Sequence, residues 1–151
     1  VEAVFYPPRG TRGVGLARAQ GYGSCFEDYR EWLDREAIVI VQVEHIRAVE
    51  NLDDILAVEG VDGFIVGPYD LSGSLGIPGK FDHVRMMEAM NRIQSFMSRY
   101  AKPGGYHVVE MDAEQLRQRV AEGYRFIAYS VDTRMLDRCC RSAIAEVRSL
   151  G

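Results

Sequence analysis

The chain alternates short apolar runs with amphipathic segments, and this order limits the possible folds more than any other feature of the sequence. Four runs rich in Ile, Val, Phe and Tyr are predicted as strands, at 38–44, 62–67, 105–109 and 126–130. Segments with helical spacing separate and follow the strands, at 46–58, 83–100, 113–122 and 133–149. A β-then-α order repeated four times favours a parallel α/β architecture. Both a small open sheet and half of an eight-stranded barrel satisfy this order.

Composition and charge argue against several classes of protein. A chain of 151 residues that is 47% hydrophobic can bury the core of one domain. The net charge of -4, without a basic run, argues against nucleic acid as a partner. Because the sequence has no run of about 18 apolar residues, we expect no membrane span and no membrane partner. The cysteines Cys25, Cys139 and Cys140 lack metal-ligand spacing, which predicts reduced thiols and a cytoplasmic location.

Two carboxylates follow the first two predicted strands. Glu44 ends the first run, and Asp70 comes three residues after Gly67, the last residue of the second run. Parallel strands joined by one helix point their C-terminal ends the same way. Open α/β sheets and α/β barrels carry their chemistry at that end. Two carboxylates that converge there predict a site for a hard divalent cation.

Three stretches of sequence carry a more specific signal. They are Tyr6-Pro7-Pro8-Arg9-Gly10-Thr11-Arg12-Gly13-Val14-Gly15, Val41-Gln42-Val43-Glu44 and Val58-Glu59-Gly60-Val61-Asp62-Gly63-Phe64-Ile65-Val66-Gly67-Pro68-Tyr69-Asp70-Leu71-Ser72. Together they resemble the HpcH/HpaI family of class II pyruvate aldolases, which includes the 2,4-dihydroxyhept-2-ene-1,7-dioate aldolases. The resemblance covers nearly the whole chain and extends weakly to Val131-Asp132.

The resemblance implies a (β/α)8 TIM barrel with a divalent cation, Mg²⁺, Mn²⁺ or Co²⁺, held by Glu44 and Asp70. It also implies that backbone N–H groups near Gly67, Tyr69 and Asp70 bind the carboxylate of pyruvate or another 2-oxo acid. Gln42 alternates onto the same face as Glu44, so we expect it either to face the substrate or to fill the barrel interior. The implied reaction forms or cleaves a carbon–carbon bond between pyruvate and an aldehyde.

The match begins partway into the family pattern. The general-base His and the substrate-binding Arg of the family lie earlier and have no counterpart here, so no catalytic residue is assigned. Residues 1–151 are therefore expected to be the C-terminal half of a single barrel domain, about four βα units, with the N-terminal half absent and the isolated piece inactive. A half-barrel leaves sheet edges uncovered, which predicts a homo-oligomer. The alternatives are a citrate-lyase-like or macrophomate-synthase-like enzyme, and a non-catalytic half-barrel that binds metal or 2-oxo acid or pairs with a partner.

The three histidines are expected to play different roles. His45 and His83 precede helical segments, so both are predicted to lie at helix N-termini. His107 lies in the third predicted strand, and it is the one histidine that could face the mouth of the barrel. None of the three is assigned as the missing general base.

Overall fold

A computed structural model describes residues 1–149, and its centre is a parallel sheet of four strands. The strands are β1 (Ile40–Val43), β2 (Gly63–Val66), β3 (Gly104–Val108) and β4 (Phe126–Tyr129). They pair in the order β1-β2-β3-β4, all parallel, as the sequence predicted. Each strand begins and ends within two residues of its predicted bounds.

Helices connect the strands and cover the sheet. They are α1 (Phe26–Glu36), α2 (Ile46–Glu50), α3 (Leu52–Ala57), α4 (Pro68–Ser74), α5 (Val84–Met97), α6 (Ala113–Ala121) and α7 (Asp132–Arg148), preceded by a 3₁₀ segment, Arg18–Gly23. The helical segment predicted over 46–58 is two helices rather than one, because Asn51 at φ −107° and ψ 21° interrupts it. The residues after Gly67 form a further helix, α4, which is not among the predicted helical segments. Within residues 1–149, none of these helices is both long and apolar enough to cross a membrane.

The sheet has one covered face and one open face. Successive strand residues point to opposite faces. Val43, Phe64, Val66, Tyr106 and Val108 are at most 3% exposed and belong to the main core. They share that core with residues of the surrounding helices, Val49, Leu52, Leu56, Met86, Ile93 and Phe96. On the opposite face, Gln42 and Phe126 are exposed and Ile65 and His107 are half-buried. This open face corresponds to the interior of a barrel.

The helix N-termini follow the sequence predictions. The Nδ1 atoms of His45 and His83 accept hydrogen bonds from the N–H groups of Arg47 and Arg85, both at 3.2 Å. The Oδ1 atom of Asp112 accepts from two N–H groups in the first turn of α6, at 2.9 and 3.0 Å. These bonds satisfy donors that a helix leaves unpaired. His45 and His83 are thus helix-capping residues, as predicted.

The segment before α1 forms a smaller second cluster. Phe5, Tyr6 and Leu33 are its buried members. The side chain of Gln20, itself buried, donates a hydrogen bond of 2.8 Å to the Tyr6 hydroxyl. The Gly-rich stretch over 5–25 is therefore held in place by side-chain contacts, although it contains little regular structure.

A pair of substitutions in β2 tests the division into two faces. Phe64→Ala is expected to lower the free energy of unfolding by about 3–5 kcal/mol, because Phe64 is fully buried among the helices. Ile65→Ala, one residue away on the open face, is expected to lower it by less than half as much. Urea unfolding followed by circular dichroism measures both values, and equal losses would contradict the assignment of faces.

Candidate active site

Gln42, Glu44 and Gly67 converge at the C-terminal ends of β1 and β2. The N–H of Gly67 donates to the carbonyl of Val43 at 3.1 Å, which extends the pairing beyond Val66. A Cβ built on Gly67 would lie 3.0 Å from Nε2 of Gln42 and 3.4 Å from Oε2 of Glu44. Both side chains therefore lie against the Gly67 backbone on the open face. The structure brings together the residues that the sequence singled out on these two strands.

Gly67 provides space at this point rather than unusual backbone freedom. Its φ of −96° is accessible to any residue. A side chain on Gly67 would meet the Cβ of Glu44 at 3.3 Å, closer than normal contact. The absence of a side chain is thus what allows Glu44 and Gln42 to approach the end of β2.

Asp70 lies in the first turn of α4, directly after this glycine. Pro68 occupies the start of the helix, where its missing N–H is not needed. The N–H of Leu71 donates to the carbonyl of Gly67 at 3.0 Å, which closes the turn. Gly67 is the N-cap of α4, so Asp70 lies within one helical turn of the end of β2. Asp70 and Glu44 are both exposed and lie at the same end of the sheet.

These carboxylates suit a cation that shares its coordination with substrate. In the part of the chain that the structure describes, no group of three or more His, Cys, Asp or Glu side chains could hold a metal ion. Mg²⁺ is commonly held by one or two carboxylates, with waters and substrate oxygens completing the shell. The donor set of Glu44 and Asp70, beside a glycine whose missing side chain leaves room at Glu44, fits such an ion.

His107 lies on the same open face as Glu44. Its neighbours in β3, Tyr106 and Val108, are buried among the helices, so alternation directs His107 to the other side. Its Nε2 lies 3.2 Å from the carbonyl oxygen of Ser130. Because a carbonyl only accepts, this contact requires a proton on Nε2. The structure thus gives His107 the orientation that the sequence left open.

Ser130 is a residue of this end of the sheet that the sequence analysis missed. Its φ of +56° lies in the left-handed region, which non-glycine residues seldom adopt. The residue is 7% exposed, and its Oγ has no hydrogen-bond partner among the described residues. Its N–H donates to the carbonyl of Val108 at 2.7 Å, so the pairing of β3 with β4 continues to this point. A serine in a sequence gives no sign that its φ is positive. Sequence alone could therefore not have singled out Ser130.

Two buried tyrosines belong to the core rather than to the site. Burial raises the pKa of both Tyr106 and Tyr124, and the charge of nearby Arg119 offsets this only in part. Their rings pack with centroids 5.6 Å apart. Because both phenols stay protonated near neutral pH and lie in the core, they are poor candidates for proton transfer at the mouth.

Two cavities of the structure differ in how close they lie to the candidate site. A small one of about 140 Å³ lies beside the mouth, where Pro68 and Tyr69 approach His107 and Val109. A wider groove of about 690 Å³ lies between α7 and the loop before α6, away from Glu44. Its charges are largely paired, since Arg134 contacts Glu110 at 2.9 Å and Asp137 at 3.1 Å. The smaller cavity is therefore the one adjacent to the candidate chemistry.

Comparison with known proteins identifies the family. The family model described as HpcH/HpaI aldolase/citrate lyase matches residues 1–138. The chain belongs to the HpcH/HpaI family. It is 39% identical over 143 residues to the hydroxypyruvate/pyruvate aldolase of Pseudomonas aeruginosa. The aligned region covers 93% of this chain and 52% of that protein. It is 37% identical over 151 residues to the 2-keto-3-deoxy-L-rhamnonate aldolase of Escherichia coli, covering 99% and 55%.

Solved structures of the HpcH/HpaI family have the same fold. A family protein from Burkholderia cenocepacia J2315 superposes with a TM-score of 0.84 at 36% identity, covering 97% of this chain and 58% of that one. The predicted fold, four parallel βα units that make up the C-terminal half of a TIM barrel, is confirmed. The chain spans about half the length of the curated relatives it matches.

Substitution of Ser130 tests whether its backbone is strained. Ser130→Gly is expected to raise the free energy of unfolding by about 0.5–1 kcal/mol, because glycine adopts positive φ without steric cost. The matched change Ser95→Gly, in the last turn of α5, should lower it, by at most about 0.5–1 kcal/mol. Thermal unfolding of the two variants supplies the comparison. A loss of stability in both would show that Ser130 is unstrained.

Proposed function

We propose that this chain supplies the metal-binding half of a class II aldolase, a carbon–carbon lyase that joins pyruvate to an aldehyde or reverses that reaction. The observation that carries the proposal is the packing of Gln42 and Glu44 against Gly67, with Asp70 in the next helical turn. Relatives at 37% and 39% identity are named as aldolases, which favours aldol chemistry over a citrate-lyase-like reaction. The exposed carboxylates lie at the C-terminal end of the sheet, where α/β folds carry their active sites, and this favours an enzyme over a purely structural half-barrel.

Glu44 and Asp70 are proposed to hold the divalent cation, Mg²⁺, Mn²⁺ or Co²⁺. Oxygen ligands of this kind are compatible with all three ions. When bound, the ion supplies Lewis-acid stabilisation of negative charge that develops on the keto oxygen of the 2-oxo acid. The aldol reaction needs this stabilisation because removal of a C3 proton, or cleavage of the neighbouring C–C bond, leaves that charge.

Neighbouring groups of the chain are proposed to position the 2-oxo acid. The N–H of Gly67 is already bonded to Val43, so Gly67 contributes space. The N–H groups of Tyr69 and Asp70, in the first turn of α4, are left to bind the substrate carboxylate. The amide of Gln42 lies beside Gly67, where its N–H can donate to a substrate oxygen. The positions of these donors fix the orientation of pyruvate.

Proton transfer is proposed to depend on the other half of the barrel. His45 and His83 cap helices through Nδ1, so neither is placed as the base. The general-base His and the substrate-binding Arg of the HpcH/HpaI pattern have no match in this chain. We infer that residues 1–151 act as part of one barrel domain, completed by four further βα units.

Self-association is also proposed. In residues 1–149, β1 and β4 each have one edge without a partner strand. Ile38, just before β1, is 74% exposed, and Phe126 on β4 is 48% exposed. Unpaired strand edges with apolar neighbours favour pairing with another chain. In the isolated chain, homo-oligomerisation would cover these surfaces, whereas in the complete barrel the further βα units would pair with both edges. We propose that the enzyme is cytoplasmic and homo-oligomeric.

Variants of the carboxylates test the metal site. They are made in the completed barrel, meaning this chain joined to the N-terminal half of the Pseudomonas aeruginosa relative, of which the chain covers 52%. Glu44→Gln and Asp70→Asn are expected to lower metal-dependent turnover of pyruvate and aldehyde by roughly 100-fold or more, because an amide is a poorer ligand than a carboxylate. Turnover is measured against Mn²⁺ and Mg²⁺ concentration.

His45→Ala is the matched control for these variants. It changes a residue adjacent to Glu44 whose side chain caps α2, so turnover should be largely retained. Undiminished activity in both carboxylate variants would refute the metal assignment. Loss of activity only in His45→Ala would locate the chemistry elsewhere.

The 151-residue chain by itself provides a further prediction. We expect at most trace aldol cleavage with Mn²⁺ or Mg²⁺, since loss of a general base typically costs roughly 10²- to 10⁴-fold in rate. The same sample should sediment as a dimer or larger species, because its strand edges are unpaired. Full activity, or a stable monomer with two-state unfolding, would contradict the half-barrel proposal.

A further inference from the structure

We infer that Ser74 is a positioning residue of the metal site, because its hydroxyl joins the backbone that carries Glu44 to the helix that carries Asp70. The inference rests on the proposed function, since it concerns the two carboxylates that are proposed to hold the divalent cation. In this role Ser74 acts through the two ligands rather than on the ion itself.

The Ser74 hydroxyl makes two hydrogen bonds that connect separate parts of the site. It donates to the carbonyl of Leu71 at 2.7 Å, one residue after Asp70. It accepts from the N–H of Ile46 at 2.9 Å, two residues after Glu44. Because a hydroxyl can donate and accept at once, one oxygen bridges the two segments.

The N–H of Ile46 depends on this partner. Ile46 is the first residue of α2, so its N–H has no acceptor within the helix. The side chain of His45 accepts instead from Arg47, one position later. Ile46 is half-buried and packs against the main core, where an unsatisfied N–H is unfavourable. Loss of the Ser74 hydroxyl would therefore hold the turn after Glu44 less firmly.

Glu44 lies between two hydrogen bonds to the same part of the chain. On its N-terminal side, the preceding carbonyl accepts from the N–H of Gly67 at 3.1 Å. On its C-terminal side, the bond to Ser74 holds Ile46. Gly67 is the N-cap of α4 and Ser74 is the last residue of that helix, so both bonds lead to the segment that carries Asp70. The first bond fixes the end of β1, and the second fixes the direction in which the chain leaves it.

Helix α4 is itself fixed in place. Leu71 and Leu75 are at most 5% exposed and belong to the main core. The buried hydroxyl of Ser72 donates to the carbonyl of Tyr69 at 2.7 Å and accepts from the N–H of Gly79 at 2.9 Å. These contacts hold both the first turn of the helix and the loop that follows it. The helix therefore provides a fixed reference for the turn after β1.

The bond to α2 distinguishes Ser74 from other serines of the helices. The hydroxyls of Ser95 and Ser98 donate to the carbonyl three residues earlier, at 2.7 and 2.8 Å. Such a bond is local to its own helix. Ser74 makes the same local bond and in addition accepts an N–H from a residue 28 positions earlier. The additional bond is the one that couples the two carboxylates.

Fixed ligand positions matter more for Mg²⁺ than for Ca²⁺. Mg²⁺ requires near-octahedral geometry, whereas Ca²⁺ accepts a variable number of oxygen ligands in a flexible arrangement. Loosening Glu44 relative to Asp70 should thus weaken the binding of Mg²⁺ more than the binding of Ca²⁺. A general loss of stability would not change this preference.

The test measures the binding of ions to the completed barrel rather than its turnover. Electron paramagnetic resonance follows free Mn²⁺, and Mg²⁺ or Ca²⁺ is titrated in to displace the bound Mn²⁺. Ser74→Ala is expected to raise the dissociation constant of Mg²⁺ by about fivefold and that of Ca²⁺ by less than about twofold. Ser74→Thr, which keeps the hydroxyl, should restore most of the affinity for Mg²⁺.

Two controls separate positioning from stability. Ser95→Ala removes a hydroxyl that bonds only within α5. Ile93→Val removes one buried methyl group and destabilises the core away from the site. Both variants should leave the ratio of the Ca²⁺ and Mg²⁺ dissociation constants unchanged. An unchanged ratio in Ser74→Ala overturns the inference, and so does an equal change in Ile93→Val.

Glu44→Gln tests the proposed function in the same assay. If this variant binds Mn²⁺ as tightly as the unmodified completed barrel, the metal assignment is wrong and the proposed function itself fails. If Glu44→Gln weakens Mn²⁺ binding but Ser74→Ala leaves the Mg²⁺ and Ca²⁺ dissociation constants unchanged, only the positioning role of Ser74 is refuted.

Discussion

The pairing of β1 with β2 in parallel register is the constraint on which the candidate site depends. It places the residue after Val43 next to the residue after Val66, so Glu44 lies beside Gly67. Alternation then sends Gln42 and Glu44 to the open face while Val43 enters the core. A shift of one residue would move the carboxylate to the helix side and remove the site. The site is thus a direct consequence of strand pairing.

The two faces of the sheet have different roles for the same reason. The helix side is filled by large apolar residues such as Phe64, whose burial stabilises the unit. The open side carries polar groups and small residues, as the interior of a catalytic barrel near its C-terminal mouth requires. The chain spans about half of its relatives, so its open side and strand edges suit completion by further βα units. Apolar packing is thus concentrated on one face, and the candidate site lies on the other.

Particular residues of the sequence predicted much of the fold and of the candidate site. The runs ending at Glu44 and Gly67 predicted parallel strands, and the histidines before two helices predicted caps. The break at Asn51 was missed because apolar spacing continues across it, and α4 was missed because Gly and Ser are common in turns. The metal-ligand roles of Glu44 and Asp70 stay predictions, supported by their common position at one end of the sheet.

The sequence by itself determined the order of strands and helices, the family, and the residues that follow β1 and β2, because these depend on local periodicity and on motifs contiguous in the chain. Only the tertiary structure decided that His107 shares a face with Glu44 and that Ser130 is buried at positive φ. Those properties arise from pairing between strands distant in sequence and from the backbone path at a strand end. Neither leaves a periodic signal in the order of residues, since each depends on contacts made after the sheet has formed.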